Sequence, residues 1–229
     1  YWVKNNVWQN SQQIILLSPN DPKWSDHSWL ASTKYCWGNT CIPSTGTTGT
    51  SITVSPDKNQ TLRYQSYDKA LNSSDVWSIV VKIEDNNPAT TMSFTSDGNT
   101  YTPWSNSWTN ENVVATINCS DTTGSIHSGC DTSSYEYRRN INSFTCNDDT
   151  SAFDSYNWSI DITTPANNNW VEFICSRVKD NAGNGYVYSP VYQVNIDKVI
   201  PGFTDVLPTT GYPVDSDNLH ANTRQFSYT

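Results

Sequence analysis

Six cysteines, at positions 36, 41, 119, 130, 146 and 175, are the residues of this chain best suited to covalent chemistry. None stands in a Cys-x-x-Cys pair, and only His27, His127 and His220 accompany them. The tight ligand spacing of a zinc site is therefore missing. Disulfides formed in an oxidising compartment are the chemistry this pattern points to. Cys36 and Cys41 flank Trp37-Gly38-Asn39-Thr40, which has the composition of a hairpin turn, and are expected to pair. The other four cysteines allow three connectivities. Alternation along residues 173–178 puts Ile174, Ser176 and Val178 on one strand face and Cys175 on the other. With Ile174 and Val178 toward a core, Cys175 faces away from it. Cys119–Cys130 with Cys146–Cys175 is then preferred. The rival is a bridge across a sandwich, Cys119–Cys175 with Cys130–Cys146.

Carboxylates offer a second chemistry. Asp85, Asp121, Asp180 and Asp197 lie near turns and at the ends of apolar runs. Calcium gathers about six to eight oxygens from carboxylates, amides and main-chain carbonyls. These four are candidate calcium ligands, with Asn86 and Asn87 beside the first of them. The competing assignment is that a turn aspartate serves its own backbone. Tryptophan offers a third chemistry, stacking on sugar rings or other ligands. Trp8, Trp77, Trp108 and Trp158 recur with an internal repeat and are expected to fill cores. Trp24, Trp29 and Trp37 lie in or beside loops and lack repeat partners, so they are the candidate ligand-binding aromatics. No nucleophile motif such as Gly-x-Ser-x-Gly accompanies the histidines, and no enzyme is expected.

The elements that must position these residues are strands. Asp180-Asn181-Ala182-Gly183-Asn184-Gly185 tolerates φ > 0 and separates two runs rich in β-branched and aromatic residues, 171–179 and 186–196. That is a β-hairpin, stopped before Pro201. No stretch keeps the apolar spacing of an amphipathic helix. Only 35% of residues are hydrophobic, yet 13% are aromatic, and a few large rings can fill thin β cores. The net charge of −9 and pI near 4.6 argue against binding nucleic acid, which needs a basic face. No apolar run is long enough to be a membrane segment.

The chain repeats itself. Trp8-Gln9-Asn10 precedes Ile14-Ile15-Leu16-Leu17, and Trp108-Thr109-Asn110 precedes Val113-Val114-Ala115-Thr116-Ile117. Each is followed by an Asp-bearing loop, a Tyr-bearing strand, a Cys-bearing turn, a short strand and a closing hairpin. The first closing phrase is Ile83-Glu84-Asp85-Asn86-Asn87-Pro88 and the second ends in Ile196-Asp197-Lys198. The expected units are 1–88, lacking most of its leading segment, 89–200, and 201–229, the start of a third. The last strand of that third unit would be ordered either by further chain or by completing a neighbouring subunit. Many short strands with frequent turns predict antiparallel sandwiches.

Trp-x-Asn before a strand, Cys119-Ser120-Asp121-Thr122-Thr123-Gly124-Ser125, Lys179-Asp180-Asn181-Ala182-Gly183-Asn184 and Ile196-Asp197-Lys198 resemble bacterial immunoglobulin-like repeats. Such repeats are found in large cell-surface proteins and adhesins. The second copy carries the resemblance well. The first departs from it at Asp68-Lys69-Ala70-Leu71-Asn72, which lacks the Gly, and has Pro19 where the second has Cys119. The resemblance implies an all-β chain of tandem immunoglobulin-like antiparallel β-sandwiches, extracellular or at the cell surface. Its role would be structural, in a stalk, adhesin or filament. Expected partners are further repeats of the same chain or identical subunits, with cell-surface glycans or proteins as candidate ligands. A carbohydrate-binding array using Trp24, Trp29 and Trp37 is the alternative.

Overall fold

The computed structural model describes residues 4–20 and 28–202. The chain is all-β, and the one helical turn among the described residues is a 3-10 turn at Pro43–Thr45. Trp24 and residues 203–229, where the third unit was expected, lie outside the described residues.

The first half contains β1 (Trp8–Gln9), β2 (Gln13–Leu16), β3 (Leu30–Trp37), β4 (Thr47–Thr48), β5 (Ser51–Val54), β6 (Lys58–Asp68) and β7 (Trp77–Ile83). The second half contains β8 (Ala89–Ser96), β9 (Asn99–Thr100), β10 (Trp108–Thr109), β11 (Val113–Ser120), β12 (Cys130–Asn140) and β13 (Asp154–Ser155). It continues with β14 (Ile160–Ile162), β15 (Asn169–Asp180), β16 (Val187–Tyr188) and β17 (Tyr192–Asp197). One sheet runs β1-β7-β6-β3-β4 and another β10-β17-β15-β12-β13, with β16 also on β15. The order is the same in both. In each sheet a two-residue strand beginning with Trp runs parallel to the last strand, pairing Trp8 with Lys82 and Trp108 with Asn195. All other pairings are antiparallel.

A smaller sheet closes over each large one. In the first half, Ile15, Ile52 and Val54 of β2 and β5 meet Leu62, Val81 and Ile83 of β6 and β7. In the second, Phe94, Val113, Ala115 and Ile162 meet Ile174, Val178, Val194 and Ile196. Each half is therefore a β-sandwich whose inner faces read out at every second residue. Burying one such aliphatic side chain is worth about 1.5–3 kcal/mol. The smaller sheets differ in width. β8 pairs with β11 along Ala89–Ser96, whereas β2 has β5 alone as its sheet partner among the described residues. Ile14 and Leu16 of β2 point outward, 50% and 61% exposed.

Three disulfides form: Cys36–Cys41, Cys119–Cys130 and Cys146–Cys175. Ile174 and Val178 enter the core, and Cys175 lies on the opposite face of β15. That face is not open. Cys175 is fully buried, because the loop between β12 and β13 folds over it through Cys146. The same cover is completed by Arg177, which lies between the rings of Phe153 and Tyr186 and pairs with Glu136 at 2.6 Å.

Several aromatic expectations are corrected. Trp77, Trp108 and Trp158 do not fill cores; they are 61%, 51% and 85% exposed. Trp77 and Trp108 begin edge-proximal strand segments and lean on the outer surface, as amphipathic rings can. Trp37, expected as a loop aromatic, is half-buried at the end of β3 and packs against the first core, with the Lys58 ammonium 5.3 Å from its ring centre.

Candidate functional site

The site lies where the first sandwich hands over to the second. β7 delivers Glu84 there, and the register is fixed because the Glu84 amide donates to the Gln9 carbonyl at 2.9 Å. Glu84 is completely buried. The β11–β12 loop brings Asp121, Ser128 and Gly129, and its two ends are tied by the Cys119–Cys130 disulfide. Gly129 has φ +82, in the left-handed region that favours glycine. The turn after β15 brings Asp180 and Asn184, 1% and 6% exposed.

Two successive main-chain amides of the loop hold two carboxylates. Ser128 N donates to Glu84 Oε2 at 3.2 Å, and Gly129 N donates to Asp121 Oδ2 at 2.7 Å. The second oxygen of each, Glu84 Oε1 and Asp121 Oδ1, is buried without a hydrogen-bond partner. Burial holds the Glu84 carboxyl above the usual range for glutamate. The Ser128 hydrogen bond works against this, and the negative charges of Asp121 and Asp180 add to it.

Asp180 is served by its own turn. Its Oδ1 accepts from Asn184 N at 3.0 Å and its Oδ2 from Asn184 Nδ2 at 2.7 Å. The same Nδ2 reaches back to the first sandwich, donating to the Asn86 carbonyl at 2.8 Å and the Glu84 carbonyl at 3.2 Å. Asn181 braces the loop by donating Nδ2 to the Ser128 and Gly129 carbonyls. Asn10, from the first half, donates to the Gly183 carbonyl at 2.9 Å. The β15–β16 turn thus contacts the first closing phrase, Asn10 of the opening phrase and the disulfide-tied loop at once.

Of the four aspartates singled out in the sequence, the structure brings Asp121 and Asp180 together. Asp85 is exposed beside this cluster. Asp197 lies at the far end of the second sandwich, exposed, and accepts from Val199 N at 2.9 Å. Its register position matches that of Glu84: Thr109 pairs with Ile196 as Gln9 pairs with Ile83. Glu84 was missed as a site residue. The available signal was this alignment, which puts an acid directly after the last inward-facing Ile of each unit. Among the described residues, no three His, Cys, Asp or Glu side chains already surround one point as a metal ligand set.

Of the three candidate ligand-binding aromatics, Trp29 is 73% exposed beside β3, Trp37 is half-buried and Trp24 lies outside the described residues. No helix among the described residues is long and apolar enough to cross a membrane.

No family model matches the chain, and no curated protein matches it. It is similar to a solved structure of the chicken CNTN1 FN1-FN3 domains at 10% identity, over 85% of this chain and 65% of that one, with a TM-score of 0.30. This chain spans about two thirds of that structure's length.

Proposed function

We propose that the chain is a structural segment of a long extracellular surface protein, built from tandem immunoglobulin-like units at 1–88 and 89–200. The observation that carries this is the handover itself. Two sandwiches of the same strand order are joined without a free linker, because the last strand of the first runs into β8 while Asn184 clasps the connecting residues. Direct hydrogen bonds across a joint restrict bending, which suits a part that spans distance and presents a surface. Three disulfides fit an oxidising environment outside the cytoplasm. Small-angle scattering of the chain in solution tests the proposal. Two sandwiches in line give a particle about twice as long as it is wide, and a compact particle with the units folded side by side would rule the stalk out.

A second reading rests on Trp29 alone. An open indole beside a strand edge can stack on a sugar ring. A glycan array probed with the chain and with Trp29→Ala decides it. Binding lost on substitution, with the fold intact, would assign a carbohydrate-binding role in place of a purely mechanical one.

A further inference from the structure

We propose that the junction carboxylates Glu84 and Asp121 form a binding site for one hard divalent cation, calcium by its chemistry. The inference stands on the joint's own geometry, so it and the stalk can fail separately. Glu84 is fully buried, and its Oε1 has no hydrogen-bond partner. Asp121 Oδ1, on the neighbouring carboxylate, is in the same condition. The other oxygen of each is held by an adjacent main-chain amide, Ser128 N or Gly129 N. Two carboxylates are thereby fixed side by side, each with one oxygen committed and one left over.

A buried carboxylate oxygen without a partner is strongly unfavourable, and here two occur together. Asp180 adds a third negative charge close enough to disfavour ionised Glu84. The three ion pairs among the described residues, Arg138–Asp148, Arg139–Glu172 and Arg177–Glu136, leave all three of these acids out. The cluster therefore lacks a cation of its own. The Asp180 oxygens are occupied by Asn184, which leaves Glu84 Oε1 and Asp121 Oδ1 as the charged ligands.

Only oxygen ligands are available, with neither sulfur nor imidazole in the cluster, which selects a hard ion over zinc. Two protein carboxylates do not complete a coordination sphere. Calcium takes its remaining ligands flexibly from main-chain carbonyls and water at about 2.3–2.6 Å, whereas magnesium demands a near-ideal octahedron. Glu84 belongs to the first sandwich, and Asp121 to the second. One ion bound between them would lock the joint.

The test is titration of the metal-stripped chain with calcium chloride at pH 7.5, read by calorimetry and by melting in chelator and in calcium. The expected result is one site with a Kd on the order of 10⁻⁴–10⁻³ M or tighter, as in extracellular modules, and a melting temperature higher in calcium. Glu84→Gln should weaken binding at least tenfold. Asp85→Asn removes the same charge from the exposed neighbour and should leave the affinity unchanged. If Glu84→Gln fails to fold by circular dichroism, Asp121→Asn takes its place. Absence of both binding heat and any calcium dependence of the melt would overturn the proposal. So would Asp85→Asn weakening binding as much as Glu84→Gln, which is diffuse surface attraction. Equal stabilisation by Glu84→Gln in chelator and in calcium would assign the two oxygens to a shared proton instead.

Discussion

Asn184 donates its side-chain amide to the main-chain oxygen of Asn86 at 2.8 Å, so one side chain of the second sandwich holds the connecting backbone of the first. The same device exists in the first half without that task. Asn72 donates N and Nδ2 to the Asp68 carboxylate, each at 2.8 Å, as Asn184 does to Asp180. Both turns follow the pattern Asp-x-x-x-Asn. Asn184 is buried because something is docked on it, and Asn72 is exposed.

Truncating these two amides separates local from junctional work. Asn184→Ala leaves the carbonyls of Glu84 and Asn86 without this donor, and an unsatisfied buried group costs about 1–3 kcal/mol. The expected loss in urea unfolding is about 2–3 kcal/mol. Asn72→Ala removes exposed bonds alone and should cost less than about 1 kcal/mol. Equal losses would mean that Asn184 acts on its own turn rather than on the joint.

How much of this was open to inspection in the sequence follows from the range of the interactions. The hairpin at 180–185 and the alternation around Cys175 are local, and local periodicity placed them correctly. The burial of Cys175 was not legible, because a polar loop rather than an apolar element covers it. Glu84 reads as a charged linker residue in its own neighbourhood. It is buried by partners 44 and 100 positions away, Ser128 and Asn184, and no window around residue 84 contains them. Trp77, Trp108 and Trp158 misled for the opposite reason. They recur at matching places in the two halves of the sequence, but a ring with an apolar body and a polar edge is as stable on a sheet rim as in a core.

The disulfides should rank in stability by the loop each closes. Sequence separations are 5 for Cys36–Cys41, 11 for Cys119–Cys130 and 29 for Cys146–Cys175. Chain-entropy estimates give about 2, 2.8 and 3.6 kcal/mol in that order. Pairwise Cys→Ala variants measured by chemical unfolding check the ranking. Cys119–Cys130 falling out of order, with a larger loss than Cys146–Cys175, would show that it also holds Asp121 and Ser128 in place for the junction.

Asp148 gives a pH dependence with a definite sign. The Arg138 guanidinium hydrogen-bonded to it holds its carboxyl below the ordinary value of 3.8, against a small opposing effect of burial. The stabilisation it provides is therefore complete above that ordinary value and is lost as pH falls through the lower folded value. The pair is at the surface, so its contribution is small and weaker at high salt. Unfolding of the chain and of Asp148→Asn should differ by the same amount at pH 6 and pH 5, and the difference should shrink as pH falls below the ordinary value of 3.8. A difference that does not shrink on acidification would come from packing of the loop rather than from charge.

Leu71 and Gly183 occupy the same place in the two Asp-x-x-x-Asn turns, and they supply the sharpest test of the repeat. Their amides donate to the Asp68 and Asp180 carbonyls at 3.2 and 3.3 Å, and their φ angles are +68 and +80. Glycine adopts that conformation freely, whereas an L-residue with a side chain pays about 1–2 kcal/mol for it. Leu71 is 84% exposed, so its side chain returns little of this cost. Leu71→Gly is expected to stabilise the first sandwich by about 0.5–1 kcal/mol, once the greater freedom of glycine in the unfolded chain is deducted. The reciprocal Gly183→Leu should cost about 1–2 kcal/mol from the backbone alone, because a Cβ built at Gly183 meets nothing within 4 Å. Chemical unfolding of both variants measures the pair. Destabilisation by Leu71→Gly would show that the leucine makes a contact of its own, and that the two turns have diverged in use as well as in sequence.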